Sequence, residues 1–147
     1  MGGHDSDISF SIAVDQVGNI YTTGLFSGTA DFDPGIGNYD LTSIGLYDIF
    51  VSKLDAAGNF VWAKQLGSTP IAPNFYSDYP NLSITLDYIG NVYCTGTFLG
   101  TGDFDPGPGV FNLSSLGGTD VYIAKLNATG NFIWARALGG INNDYSS

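Results

Sequence analysis

Two stretches of this chain, Thr29-Ala30-Asp31-Phe32-Asp33-Pro34-Gly35 and Thr101-Gly102-Asp103-Phe104-Asp105-Pro106-Gly107, each set two carboxylates two residues apart beside a glycine turn. Calcium takes about six to eight oxygens, and alternating aspartates in a turn supply two on the same side, with backbone carbonyls adding more. Asp31, Asp33, Asp103 and Asp105 are therefore the candidate calcium ligands. A mechanical reading competes: Asp33-Pro34-Gly35 is a plain turn, and Asp31 accepts backbone amides as Asx residues do. A full calcium loop usually has a third or fourth acid close by, whereas the next here is Asp40, replaced by Asn112 in the second stretch.

Other chemistry is sparse. Asp48 and Asp120 open later segments, where they either line a channel or cap a neighbouring turn. Catalysis needs a base near a nucleophile, or two carboxylates at a fixed separation across a site. Asp31 and Asp33 sit too close along one turn for that geometry, so no enzyme is expected. Cys94 and His4 are each alone, which leaves no disulfide framework and no zinc set. Lys53, Lys64, Lys125 and Arg136 are the whole cationic complement against 14 acids, a formal charge of −10. No phosphate-neutralising surface can be built from four cations, so nucleic acid is not a partner. No apolar run approaches the ~18 residues of a membrane span, so no membrane insertion is expected. The opening MGGHDSD does not have the pattern of a signal peptide.

The elements that must position these residues follow from composition and repetition. All 14 acids are aspartate, and glycine supplies 21 of 147 residues. Asp and Gly favour turns, while the Glu, Lys and Ala that cover a solvated helix are scarce, so an all-β chain with many turns is expected. A shift of 72 residues lays Asp15 on Asp87, and roughly 29 of about 53 positions then match without a gap. Repeats of this period mark stacked units that cannot bury their faces alone. We assign residues 1–69 and 70–147 to the two units.

Within a unit, Phe10–Val14, Ile20–Phe26, Ile49–Leu54 and Phe60–Leu66 read as strands, joined by turns with Gly-Asn pairs at Gly18-Asn19 and Gly58-Asn59. Ile49 and Val51 lie on one face of the third strand and Phe50 and Leu54 on the other, as in a sheet covered on both sides. Four short strands per unit, with sheets stacked face to face, is the plan of a β-propeller blade. Gly28–Gly45 exceeds what a plain blade needs and reads as an extended hairpin between the second and third strands, tipped by Asp33-Pro34-Gly35.

The run GNxYxTGxFxGTxDFDPGxG, followed by DxFVxKLDxxGNFxWA, resembles the bacterial β-propeller repeat known as SBBP, over nearly the whole chain and in two copies. The resemblance implies blades and an exported protein, extracellular or at the cell surface; it implies little about activity. Propellers of that family have more than two blades. This chain is therefore expected either to be a piece of a larger surface propeller or to assemble with itself. Two blades leave apolar faces bare, including those bearing Phe60, Trp62, Phe132 and Trp134, and such areas mark interfaces. Head-to-tail contact closes a homotrimer or homotetramer of six or eight blades, or runs on as a filament. The tail from Gly139 to Ser146 echoes the head from Gly2 to Asp7, as if leading into a next blade. Trp62 and Trp134 are assigned to the core, and Tyr39, Phe111 and Tyr47 to reachable loops. The expected role is a non-catalytic scaffold, with a glycan- or peptide-binding module as the alternative.

Overall fold

A five-residue loop recurs four times and sets the hairpins. At Asp15–Asn19, the Asp15 carboxylate accepts the amides of Val17 (3.1 Å) and Asn19 (2.9 Å) and the Asn19 side-chain amide (2.7 Å). Gly18 turns the chain at φ +88°, a left-handed conformation that glycine adopts without steric cost. Asp55–Asn59, Asp87–Asn91 and Asn127–Asn131 close in the same way through paired backbone bonds.

The computed structural model describes residues 2–69 and 81–146, and no helix occurs among them. The first copy holds β1 (Gly2–Gly3), β2 (Asp7–Val14), β3 (Ile20–Phe26), β4 (Thr29–Asp31), β5 (Asp40–Thr42), β6 (Tyr47–Leu54) and β7 (Phe60–Thr69). The second holds β8 (Ser83–Leu86), β9 (Val92–Phe98), β10 (Thr101–Asp103), β11 (Asn112–Ser114), β12 (Asp120–Leu126) and β13 (Phe132–Leu138). Two four-stranded antiparallel sheets result, ordered β2-β3-β6-β7 and β8-β9-β12-β13, the build of propeller blades. Between the second and third strands of each sheet stands the expected hairpin, β4-β5 or β10-β11, and β1 adds an outer strand to the first.

One strand runs past its expected end. Gly67 does not stop β7; at φ +55° the glycine takes a bend, and Thr69 goes on to pair with Tyr47 across a register shift. The division expected between residues 69 and 70 adjoins residues 70–80, which lie outside the described residues.

The two sheets stack face to face. Tyr21, Val51, Trp62 and Leu66 of the first share one core with Ile84, Cys94, Tyr122 and Leu126 of the second. Each large apolar side chain so covered contributes about 1.5–3 kcal/mol. The ion pair of Lys125 with Asp87, at 3.8 Å and partly exposed, is of a kind worth about 0–1 kcal/mol. Apolar burial therefore holds the copies together.

Candidate functional site

The DFDPG turns are closed by their own carboxylates. Asp31 Oδ1 accepts the amides of Asp33 (2.9 Å) and Tyr39 (2.8 Å), and Asp33 Oδ1 accepts that of Gly35 (2.7 Å). The second copy repeats this: Asp103 Oδ1 accepts from Asp105 (3.0 Å) and Phe111 (2.8 Å), and Asp105 Oδ1 from Gly107 (2.8 Å). The Tyr39 amide, then that of Asp33, holds the Asp31 carboxyl below the usual carboxylate range. Among the described residues, no group of three or more His, Cys, Asp or Glu side chains is placed to hold a metal ion.

What these turns position is an aromatic ring. Phe32 packs edge-on to Phe26 (5.4 Å between centroids) and against Phe50 (5.0 Å) in a satellite core of the first sheet. Phe104, its counterpart, meets Phe98 (5.4 Å) and Tyr122 (4.8 Å), but it also lies under Gly67 of the other copy, within the shared core. A β-carbon on Gly67 would sit 3.0 Å from Phe104 Cζ, so both this contact and the positive φ require glycine. Sequence reasoning looked to the carboxylates of the motif and missed its phenylalanine; the sign was an aromatic kept in both copies between two turn formers.

Asp48 and Asp120 are both buried. Asp48 accepts the amides of Ile44 (2.7 Å) and Gly45 (3.2 Å) and the side-chain amide of Gln65, the turn-capping arrangement. Burial pushes its carboxyl above the ordinary value, against the pull of those three donors. Asp120 accepts the Leu116 amide at 2.9 Å through Oδ2, while Oδ1 is buried with no hydrogen-bond partner among the described residues. Ala137 stands where a 72-residue shift places Gln65.

Of the loop aromatics, Tyr39 is exposed, tilted against Phe60 (4.7 Å), whereas Tyr47 and Phe111 are half-buried, Phe111 tilted against Phe132 (4.9 Å). An open groove of about 480 Å³ runs between the β2-β3 and β8-β9 turns, lined by Asp15, Lys53, Asp87 and Tyr88 among others. The Asp15 and Asp87 carboxylates are engaged in closing those turns.

The most unequal surfaces are the sheet faces. Trp62 is 8% exposed, crosses Tyr21 at 6.1 Å and donates its indole N–H to the Ala128 carbonyl of the other copy (3.3 Å). Trp134 crosses Tyr93 in the same way, at 6.4 Å, on a face with no sheet over it among the described residues, and is half-buried. Lys53 over Tyr21 (4.8 Å) and Lys125 over Tyr93 (4.7 Å) complete the match. Leu66 is 0% exposed and its counterpart Leu138 53%; Ile84 is 6% exposed and its counterpart Ile12 65%. A cavity of about 230 Å³ opens on the bare face beside Tyr93, Thr95 and Ile123.

Comparison with known proteins agrees with this architecture. "Uncharacterized WD repeat-containing protein L264" of Acanthamoeba polyphaga mimivirus is 28% identical over 158 aligned residues, covering 96% of this chain and 10% of that protein. The chain thus spans about a tenth of the length of the relative it matches. Residues 2–25 match the beta-propeller repeat family SBBP. The loop-closed strands and the stacked four-stranded sheets have the build of β-propeller blades, and the match places residues 2–25 in similarity to the SBBP beta-propeller repeat.

Proposed function

We propose that the chain is a non-catalytic propeller module, two blades occupying residues 1–69 and 70–147, whose work is to stack on further blades and present a scaffold. The observation that carries this reading is the inequality of matched faces. The residues that bury Trp62 and Leu66 inside the chain have counterparts around Ile12 that stand exposed, and the Trp134 face has the shape of the covered one. An apolar face left bare beside a working copy of its own interface is a docking face. The fitting partner is a second copy, placed so that the Trp134 indole meets the Ala56 carbonyl as Trp62 meets Ala128. Such contact is heterologous and closes a ring of three or four chains or continues as a filament. An extracellular or cell-surface setting rests on the SBBP resemblance.

Light scattering tests the reading. A monodisperse particle of three or four chains supports it, while a stable monomer across the micromolar range removes self-assembly. The DFDPG carboxylates serve in this account as turn closers, which matches their bonding to backbone amides. Thermal melts in calcium and in EDTA separate the two roles: equal midpoints fit turn closure, and a rise with calcium assigns an ion to the loops.

A further inference from the structure

We propose that the edge of β4, with the Phe32–Phe50 cavity behind it, is a seat for the Gly139–Asp144 segment of a second copy, and that the chain's own Gly2–Gly3 strand is an interchangeable occupant of that seat. The inference draws its biological use from the head-to-tail reading, but its evidence and its test stand apart.

The internal junction supplies the template. Beyond Leu66, β7 continues through Gly67 and lies along β10, with Gly67 over Phe104. In the first copy β4 is the counterpart of β10, and Phe32 that of Phe104. What lies along β4 is β1, with Gly2 opposite Asp31 and Gly3 opposite Ala30. The strand that ends one blade inside the chain is thus replaced, at the first blade, by the head.

Head and tail share a local fold. Both carry Gly-Gly-x-x-x-Asp, and in both the second glycine donates its amide to the aspartate four residues on: Gly3 to Asp7 Oδ2 at 2.7 Å, Gly140 to Asp144 Oδ2 at 2.8 Å. The seat selects glycine, because a β-carbon on Gly3 would run into the Thr29 carbonyl oxygen. Leu138, exposed just ahead of Gly139, is the counterpart of the buried Leu66. Beside β4 lies a cavity of about 150 Å³, lined by Gly2, Ile8, Ala30, Phe32 and Phe50 among others. A cavity of that order accepts an apolar group of about benzene's size. A second copy's tail would bring its own leucine to this cavity.

The probe is a fluorescein-labelled peptide of residues 136–147, titrated by anisotropy into the full wild-type chain and into the full Gly3→Val chain, whose β1 cannot lie on β4. The Gly3→Val chain is expected to bind at least tenfold more tightly than wild type, and a peptide carrying Asp144→Ala several-fold more weakly. Equal affinity for both chains, or binding to neither, overturns the proposal. Should Gly3→Val abolish the cooperative melt, Asp7→Ala, which releases β1 by removing its turn bond, takes its place under the same expectations. Recording particle mass alongside separates the two readings. Chains that assemble without peptide exchange defeat this proposal alone; exchange in a chain that stays monomeric supports it and defeats the ring.

Discussion

Asp48 and Asp120 hold the same place in two copies of one sheet and keep different company. The first has the Ile44 amide and Gln65 on Oδ2 and the Gly45 amide on Oδ1; the second has only the Leu116 amide on Oδ2, and its buried Oδ1 has no partner among the described residues. The DFDPG phenylalanines diverge in the same manner. Phe32 plugs its own sheet, while Phe104 plugs its own sheet and the junction with the other. The lesson is that a near-identical repeat does not give equal roles, since a residue's energetics depend on which neighbouring blade is present. The first copy is finished on the face carrying Trp62, and the second is unfinished on the face carrying Trp134.

Substitutions can break or sharpen that contrast. The largest effect is expected from Phe104→Ala, at about 3–5 kcal/mol of lost stability in urea unfolding, the range for truncating a buried aromatic. Phe32→Ala should cost less, because its cluster lies outside the shared core. Equal costs would mean that the junction adds nothing. Next comes Ala137→Gln, which gives Asp120 Oδ2 the second donor that Gln65 gives Asp48 Oδ2. A hydrogen bond to a charged group is worth about 1.5–3 kcal/mol, so a gain approaching that is expected, and no gain would show that a side chain at position 137 does not reach Asp120.

The smallest effect is in pH dependence. Burial raises the Asp48 carboxyl, so the folded chain holds that proton more readily than the unfolded chain. Between the ordinary carboxylate value and the raised one, this group makes stability fall as pH rises. Asp31, with its lowered value, acts oppositely, its contribution being lost as pH falls through the folded value. Comparing urea midpoints of wild type and Asp48→Asn isolates the first slope: the difference should move in favour of the variant as pH climbs through that window. A constant difference would show that Asp48 titrates as an ordinary carboxyl.

Much of the architecture was legible because it is encoded locally. Asp-x-x-Gly-Asn loops, alternation in Ile20–Phe26 and the 72-residue shift each act within a few residues or between matched ones, and they located the strands and the extended hairpin. The continuation of β7 through Gly67 was not legible, since glycine ends a strand or bends one depending on what lies beneath it, here Phe104. The site was read by residue type, which favoured the aspartates. Their oxygens turn out to face their own backbone amides, a matter of loop geometry that spacing alone leaves open between turn and ion site. The donor missing from Asp120 Oδ2 was visible as Gln65 against Ala137, but its meaning needed the contact between residues 65 and 48.

The central claim is that the bare Trp134 face accepts the Ile12 face of another copy in the register already used within the chain. In that internal register the Ile84 amide approaches Ser11 Oγ at 3.4 Å, so Ser11→Cys with Ile84→Cys should form an intrachain disulfide and serve as the reference. The matching pair between copies is Ile12 on one and Ser83 on the other. Cys94 is buried and its thiol pushed up to about 12, which keeps it out of exchange. Mixing Ser83→Cys chains with Ile12→Cys chains under mild oxidation is expected to give the mixed disulfide dimer well above either homodimer; formation of the internal reference bond with no mixed dimer would contradict the account.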